Sequence, residues 1–350
     1  MPLVIDRVVG QGGDKTGGRI GPDFMEKQSF IIGPEHAGQT LSAWLRTYLP
    51  GQSWGQVRRL IEAGRVCIGD DVCLDPARRL REGETVDLLA RSPKKPHLQE
   101  PVVIRFLDDH LVVVEKPSGI STVRHPSERA WNQRRKNLSP TLEDIVPKLI
   151  ALREGRKRKG PLPRLRVVQR LDKETSGLVV FARSVIAERV LGKQFRSHTV
   201  TRRYLAVVPG FMVKQRIESS LVRDRGDGRR GSTNLPHLGK TAITHVEPIE
   251  KLPGYSLLSC RLKTGRTHQI RIHLAEKGHP ICGDKVYCLR RDGTIINDLS
   301  GAPRLALHAA ELGFIHPTTD KAMHWTMPLP ADLKKFLDCL KAKSSLLAKE

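Results

Sequence analysis

The sequence predicts an α+β protein with two folding units. One is a small N-terminal α/β module, and the other is a larger domain built on a mixed, largely antiparallel sheet flanked by helices. The chain has 350 residues, which is long enough for two domains of typical size. A Pro- and Lys-rich stretch without periodicity, residues 91–99, is typical of a linker between them. Beyond residue 100 the strand-like runs are not regularly separated by helices, which disfavours a doubly wound parallel sheet.

Composition excludes several classes of protein. The 60 Lys and Arg outnumber the 37 Asp and Glu, and the net charge of +23 makes a polyanion the expected partner. No apolar run approaches the roughly 20 residues that span a bilayer, and no signal peptide is visible, so we expect a cytoplasmic protein without membrane contact. The six cysteines form no CxxC pair, which predicts scattered buried thiols and no zinc site. Signatures of NTPases, dehydrogenases and zinc proteases are missing.

The N-terminal elements can be placed in order. Residues 1–34 are rich in Gly and charge and predict a flexible tail, followed by a module over 35–90. Apolar residues at helical spacing predict a helix over 41–49, and Ser53 with Gln56 three residues later marks the start of a second helix. Two short strands around a Gly-Asp-Asp turn and a closing strand follow, over 66–68, 72–74 and 85–88.

The larger domain is predicted to span residues 100–345. Its apolar runs predict strands at 102–104, 111–114, 177–181, 204–208 and 256–262. Leu333, Phe336, Leu337 and Leu340 have the spacing of an amphipathic C-terminal helix. Ile270, Ile272 and Leu274 alternate with polar residues, which predicts a further half-buried strand.

A strongly basic segment interrupts this domain. Residues 124–170 hold fourteen Lys or Arg against four Asp or Glu, a net of +10, and the densest part is 153–166. The segment 124–166 is therefore predicted to be a basic loop that contacts phosphate groups and does not fold independently.

Two segments carry the side chains suited to chemistry. In RLDKETSGLVVFAR, residues 170–183, Asp172 precedes a Thr-Ser-Gly turn and an apolar strand, although a single loop Asp is usually a turn residue. In KTGRTHQIRIHLAEKGHPICGDKVY, residues 263–287, five polar side chains fall within eight residues: Arg266, His268, Gln269, Arg271 and His273.

Together these segments resemble the RluA-type pseudouridine synthase family over about residues 37–340. The resemblance rests on Arg-Leu-Asp-x-x-Thr-Ser-Gly and Thr-Gly-Arg-Thr-His-Gln-Ile-Arg-x-His. It is supported by Lys116-Pro117-x-Gly119 before them, by Leu307-His308-Ala309 after them, by Gly239-Lys240-x-Ala242-x-Thr244, and by Pro328-x-Pro330. Residues 37–90 resemble the S-four-type RNA-binding module.

The resemblance implies roles for individual residues. Asp172 would be the catalytic aspartate, Arg271 the cation paired with it, and Tyr204 the ring that stacks on the target uracil and helps remove a ring proton. Arg170 would lie near the space left by the flipped base, and Ile270 would contact the ring. Further RNA contacts are implied for Thr175, Arg266, His268, Gln269 and Lys116, and in the N-terminal module for Arg58, Arg59 and Arg65. The family requires no cofactor and no metal.

One feature qualifies the resemblance. Many members have His before Arg-Leu-Asp, whereas this chain has Gln169, which affects local hydrogen bonding and not the aspartate. The aspartate itself must stay ionised while sheltered from water, and a neighbouring arginine lowers an Asp pKa by roughly 1–3 units. Whether Asp172 attacks the ribose or the ring is left open.

The expected function is isomerisation of uridine to pseudouridine, with large-subunit ribosomal RNA as the partner and a monomeric state. A transfer-RNA pseudouridine synthase and a non-catalytic, RNA-binding ribosome assembly factor are the alternatives. A nucleic-acid hydrolase using Asp172 with His268 and His273 is disfavoured, because the cluster of metal-binding carboxylates is missing from the sequence.

Overall fold

The structure is a computed structural model that describes residues 27–69, 71–92, 100–155, 161–226, 229–288, 296 and 298–347. The chain divides into two compact units, Met1–Pro96 and His97–Glu350. This division falls inside the stretch predicted to be a linker, of which residues 93–99 lie outside the described residues. Among the described residues, no helix has the length and apolar character needed to cross a membrane.

The N-terminal unit packs two helices on an antiparallel sheet. Its strands run in the order β1, β4, β2, β3, and its elements are β1 Gln28–Ile31, α1 Leu41–Tyr48, α2 Trp54–Glu62, β2 Val66–Ile68, β3 Asp71–Val72 and β4 Thr85–Leu88. The predicted capping box starts α2, since the Gln56 amide N–H donates to Ser53 Oγ and the Ser53 N–H donates to Gln56 Oε1. Trp44, Val57 and Ile61 fill the core between the layers.

The prediction that residues 1–34 form a flexible tail includes a segment that is part of the folded N-terminal unit. Residues Gln28–Ile31 form an edge strand that pairs with Thr85–Leu88, so the prediction is wrong for this segment. Phe30 is half-buried and the other three residues are exposed, so the apolar alternation that marks a strand is nearly absent. Residues 1–26 of the predicted tail lie outside the described residues.

The second unit is built on one large mixed sheet. Its helices are α3 Gln133–Leu138, α4 Leu142–Arg153, α5 Val185–Arg196, α6 Gln269–Glu276 and α7 Ala331–Leu347. Its strands are β5 Val103–Leu107, β6 Leu111–Lys116, β7 Arg166–Val167, β8 Ser176–Ala182, β9 Thr201–Pro209, β10 Gln215–Val222, β11 Gly231–Thr233, β12 Lys240–Leu252, β13 Tyr255–Leu262, β14 Leu307–Ile315 and β15 Ala322–Thr326.

The sheet confirms the predicted α+β class. Among the described residues its main path runs β11, β10, β12, β13, β9, β14, β8, β6, β5, with β15 paired to β14 and β7 paired to β8. Every described pairing is antiparallel except that of β14 with β8. This parallel contact brings Gly177 against Ala309, and a Cβ at Gly177 would overlap the Ala309 carbonyl oxygen. The glycine of the Thr-Ser-Gly string is thus required by close approach of two strands.

Two predictions about this unit are wrong. Residues 270–274 form part of α6 and not a strand. Because every residue from Gln269 to Ala275 is buried, the segment has no solvent-facing side to produce a helical period. The predicted basic loop over 124–166 contains α3 and α4, and Leu142, Val146 and Ile150 of α4 lie in the main core. Residues 156–160, within its densest basic part, lie outside the described residues.

Candidate active site

Asp172 lies on the loop between β7 and β8, just before β8, which is an interior strand of the sheet. Its side chain is 26% exposed and opens into a cleft of about 540 Å³. The loop closes as a turn in which the Thr175 N–H donates to the Asp172 carbonyl oxygen at 3.2 Å. A volume of this size falls in the range of pockets that take small organic groups, roughly 300–1,000 Å³.

Residues 116–122 hold this loop in place through its main chain. Lys116 Nζ donates to the Lys173 carbonyl oxygen at 2.9 Å, and Ser118 Oγ donates to the Glu174 carbonyl oxygen at 2.7 Å. Thr122 Oγ1 donates to the Leu171 carbonyl oxygen at 2.9 Å, and accepts from the Leu171 N–H at 3.0 Å. The Lys-Pro-x-Gly string therefore acts as a brace for the Asp172 loop.

The prediction that Lys116 contacts RNA is wrong. Its side chain is fully buried, and its ammonium group also donates to the Pro117 carbonyl oxygen at 2.9 Å. Burial lowers the pKa of Lys116 to about 7, with Asp172 opposing the shift. A group enclosed in this way positions a loop and has no surface to offer a ligand.

Arg271, on α6, is the cation next to Asp172, as predicted. The distance from its Nη1 to Asp172 Oδ2 is 3.8 Å. Its stronger partner is Asp284, which accepts from Nε at 2.7 Å and from Nη2 at 2.8 Å. Burial would raise the pKa of Asp284, but hydrogen bonds and charge from Arg271 and backbone N–H groups hold it below its usual value. Asp284 thus fixes the guanidinium and leaves Nη1 facing Asp172.

Tyr204, on β9, forms another part of the cleft wall and is 9% exposed. Burial raises the pKa of Tyr204 to about 12, and of the smaller effects the charge of Arg202 lowers this pKa while that of Asp172 raises it. The phenol is therefore neutral at pH 7, which suits a stacking surface and disfavours a proton-abstracting phenolate. Ile270 lines the same cleft and supplies a buried apolar contact.

His268 immediately precedes α6 in the left-handed backbone region, with φ of 58°. Its Nδ1 hydrogen-bonds Tyr287 Oη at 2.7 Å, and its Nε2 is 3.8 Å from Asp172 Oδ1. Burial lowers the pKa of His268, and Asp172 only partly opposes the shift. The imidazole is therefore neutral at pH 7, which leaves Arg271 as the cation beside Asp172.

The prediction that Gln269 contacts RNA is also wrong. Its side-chain oxygen accepts from Thr264 Oγ1 at 2.8 Å and from the Arg266 N–H at 3.0 Å. Its nitrogen donates to the Ile243 carbonyl oxygen and to Thr244 Oγ1, both at 3.0 Å. All the hydrogen-bonding capacity of this buried amide is used within the protein, to β12 and to the loop that precedes α6.

The structure brings most of the remaining predicted residues to one cleft. Its walls include Arg170, Asp172, Thr175, Tyr204, Arg266, His268, Ile270 and Arg271. Thr175 Oγ1 is buried and has no hydrogen-bond partner among the described residues. Gln169, which replaces the usual His, also lines the cleft and donates from Nε2 to the Leu178 carbonyl oxygen at 3.3 Å. Arg58 and Arg59 are exposed on α2 of the other unit, and Arg65 Nε donates to the Leu89 carbonyl oxygen there.

His273 has a structural place and does not line the cleft. It is fully buried, and its ring nitrogens hydrogen-bond Thr244 Oγ1 at 2.9 Å and Ser219 Oγ at 3.1 Å. This removes one of the two histidines on which the hydrolase alternative depended. No group of three or more His, Cys, Asp or Glu side chains is placed to hold a metal ion in the described part of the chain.

The burial of His273 predicts a loss of stability in acid. Burial lowers its pKa to about 4, so between about pH 6.5 and 4 the unfolded chain binds a proton that the folded chain does not. The free energy of unfolding therefore falls as the pH falls through this window. We expect this one residue to account for about 2–3 kcal/mol by about pH 4.5. Urea unfolding of wild type and His273→Gln from pH 7 downward tests this, and equal pH dependence in both would contradict it.

Sequence reasoning missed Asp284 and Tyr287 as parts of the site. Arg271 lies with its Cζ 5.0 Å from the Tyr287 ring centroid, in addition to its two bonds with Asp284. Both residues stand in the quoted string that ends at residue 287, but a Gly-Asp turn gives no sign that its carboxylate is buried. The signal that could have found them is the need of a buried guanidinium for a carboxylate partner.

Comparison with known proteins agrees with this geometry. A family model described as RNA pseudouridylate synthase matches residues 110–276, and an S4 domain model matches residues 39–86. The ribosomal large subunit pseudouridine synthase D of Nitrosomonas europaea is 34% identical over 310 residues, which cover 87% of this chain and 85% of that protein. The chain belongs to the RNA pseudouridylate synthase family. The resemblances predicted for both units are thereby confirmed.

Other members of the RNA pseudouridylate synthase family extend this result. The Haemophilus influenzae protein named ribosomal large subunit pseudouridine synthase D is 32% identical over 321 residues, covering 89% of this chain and 94% of that protein. Among solved structures, human RNA pseudouridylate synthase domain containing 4 superposes with a TM-score of 0.53 at 22% identity, over 68% of this chain and 92% of that chain. That structural likeness supports the fold.

Proposed function

We propose that this RNA pseudouridylate synthase isomerises uridine to pseudouridine in large-subunit ribosomal RNA. The observation that carries the proposal is the convergence of Asp172, Tyr204 and Arg271 on one cleft. The named relatives that act on the ribosomal large subunit support the choice of RNA. The S4 domain match in the N-terminal unit supports RNA as the partner.

The residues suit the steps that this isomerisation requires. The bond between ribose and ring nitrogen must break, the uracil must turn within the pocket, and a bond from ribose to ring carbon must form, with loss of the proton on that carbon. An ionised Asp172 supplies either a nucleophile or a base for the first step. Arg271 places its guanidinium 3.8 Å from that carboxylate, and Tyr204 with Ile270 retains the freed base between a ring and an apolar wall.

The target uridine must leave its stack to reach this cleft, which costs a few kcal/mol. Aromatic faces and guanidinium planes that stack on unpaired bases offset part of that cost. Tyr204 lies inside the cleft and Arg170 is exposed at its wall, so both kinds of surface are present.

Mapping pseudouridines in total RNA tests the proposal. Cells lacking the protein should lose pseudouridine from one or more positions of large-subunit ribosomal RNA, and expression of wild type should restore them. Loss of pseudouridine only from transfer RNA would show that the substrate is transfer RNA and not large-subunit ribosomal RNA. An unchanged map would overturn the proposed activity.

A further inference from the structure

The cleft extends beyond Tyr204 to a second group of basic side chains. Arg196, His198, Arg202 and Arg266 line this part, and none of them is needed by the chemistry at Asp172. Arg202 stands two residues before Tyr204 on β9, and both side chains are buried on the same face of the strand. The basic group is therefore a direct continuation of the uracil-binding wall.

Arg202 is the unusual member of this group. It is only 9% exposed, and its Nε has no hydrogen-bond partner. The guanidinium of Arg202 makes one hydrogen bond in the described part of the chain, a long contact of 3.4 Å from Nη2 to the Leu262 carbonyl oxygen. Its Cζ lies 5.7 Å from the Phe195 ring centroid. No carboxylate pairs with it among the described residues. A buried guanidinium without an anion is costly, so its partner is expected to arrive with the substrate.

Two other arginines near Arg202 are each paired with a carboxylate. Arg203, the next residue, has Nε 2.5 Å from Glu311 Oε2, and Arg271 is held by two bonds to Asp284. Glu188 is a carboxylate on the cleft wall, but it is paired with Arg166 at 2.9 Å. Of the buried arginines in the described part of the chain, Arg124 and Arg271 each pair with a carboxylate and Arg202 does not.

Gly265 provides the room that this guanidinium occupies. A Cβ at position 265 would lie 2.6 Å from Arg202 Nη1, too close for an ordinary contact, although the backbone there is not in the left-handed region. The glycine of the Thr-Gly-Arg-Thr-His string is therefore explained by space for Arg202. Any side chain at this position would push the guanidinium out of its place.

Positive charge is concentrated around this point. His198 Nδ1 is buried without a partner, and burial followed by the charges of Arg202, Arg266 and Lys263 lowers the pKa of His198. The imidazole is therefore neutral at pH 7 beside three cations. A neutral ring and several guanidinium groups present donors suited to the oxygens of a phosphate.

We propose that Arg202, with Arg196 and Arg266, binds a phosphodiester group of the RNA strand that carries the target uridine. The inference rests on the proposed function and adds the part of the substrate that this end of the cleft takes. Adjacent same-face residues of a strand lie about 6.5–7 Å apart. One nucleotide can therefore place its base on Tyr204 and a phosphate on Arg202. The phosphate supplies the negative charge that no described side chain of the protein supplies to Arg202.

The salt dependence of catalysis tests this assignment. We expect Arg202→Gln to raise KM about tenfold at low salt on a protein-free transcript of large-subunit ribosomal RNA. The slope of log KM against log salt should become shallower by about 0.7–0.9, the value for one phosphate contact. Arg202→Lys should keep the wild-type slope. Lys335→Gln removes one exposed positive charge from α7, away from the cleft wall, and should behave as wild type.

Two further measurements separate phosphate binding from a structural role. Thermal unfolding of Arg202→Gln checks that the fold persists, and Gly265→Ala should raise KM while the total charge stays the same. Short RNA substrates with single uncharged methylphosphonate linkages should include one linkage that raises KM for wild type and not for Arg202→Gln. A wild-type slope in a folded Arg202→Gln protein, or no such linkage, overturns this inference. Absence of pseudouridine formation by wild type overturns the proposed function instead.

Discussion

Replacing Asp172 with Asn is expected to lower the rate of pseudouridine formation by at least about 10³-fold, since catalytic groups of this kind contribute on the order of 10²–10⁴ and Glu188, the other carboxylate on the described cleft wall, is paired with Arg166. The amide has the shape of the carboxylate but cannot act as nucleophile or base at neutral pH. Rates measured under single-turnover conditions, with enzyme in excess over RNA, report this step directly.

The same variant should fold and bind RNA as wild type does. The Asp172 side chain is partly exposed and its contact with Arg271 is 3.8 Å long, so its loss should cost less than about 1 kcal/mol of unfolding free energy. Glu174→Gln removes a carboxylate from the same loop and serves as the matched control, with activity near wild type. Full activity of the Asn variant in restoring pseudouridines in cells would contradict the catalytic assignment and favour a non-catalytic assembly role.

Replacing Asp284 with Asn should damage both stability and catalysis. The Asp284 side chain is fully buried, and breaking one partner of a buried ion pair costs about 3–5 kcal/mol because the other charge is left uncompensated. Arg271 would then turn toward Asp172, its only other described carboxylate partner, and shift by about an ångström. A misplacement of that size can cost about 10²-fold in rate.

Asp332→Asn is the matched control for this change. Asp332 also forms a two-bond pair with an arginine, accepting from Arg304 Nε at 2.6 Å and Nη2 at 3.0 Å, but its side chain is partly exposed and does not line the cleft. We expect about 1 kcal/mol of destabilisation and unchanged kcat. Urea unfolding and single-turnover rates measure the two effects, and equal behaviour of the two variants would contradict the role given to Asp284.

The parts of the fold that the sequence predicts are those with a clear apolar pattern. The buried strands β6 and β8 stand out as continuous apolar runs, and helix α7 has apolar residues at helical spacing on the side that joins the core. Helix α6 is buried all round and β1 is exposed almost throughout, so neither has a period to detect. Helix α4 was hidden because charged residues around it gave the segment the composition of a loop.

The site divides in a similar way. Asp172, Tyr204 and Arg271 stand in strings specific enough to identify a family, and the structure brings them together. Lys116 and Gln269 stand in the same strings, but their polar atoms are bonded within the protein. A string shows that a residue type is needed and does not show whether it faces a ligand or the interior. The roles of Asp284 and Arg202 became visible only in the three-dimensional structure, because they depend on neighbouring side chains. Asp284 pairs with Arg271, and Arg202 has no carboxylate partner among the described residues.

The hydrogen bonds from the side chains of residues 116–122 to the Asp172 loop go to main-chain atoms of Leu171, Lys173 and Glu174. The shape of the Asp172 loop is therefore independent of the outward side chains that it carries. Lys173 is exposed and adjacent to the reactive carboxylate. A fluorophore attached at Lys173→Cys, with the exposed Cys339 replaced, would report the arrival of RNA in real time without disturbing the loop.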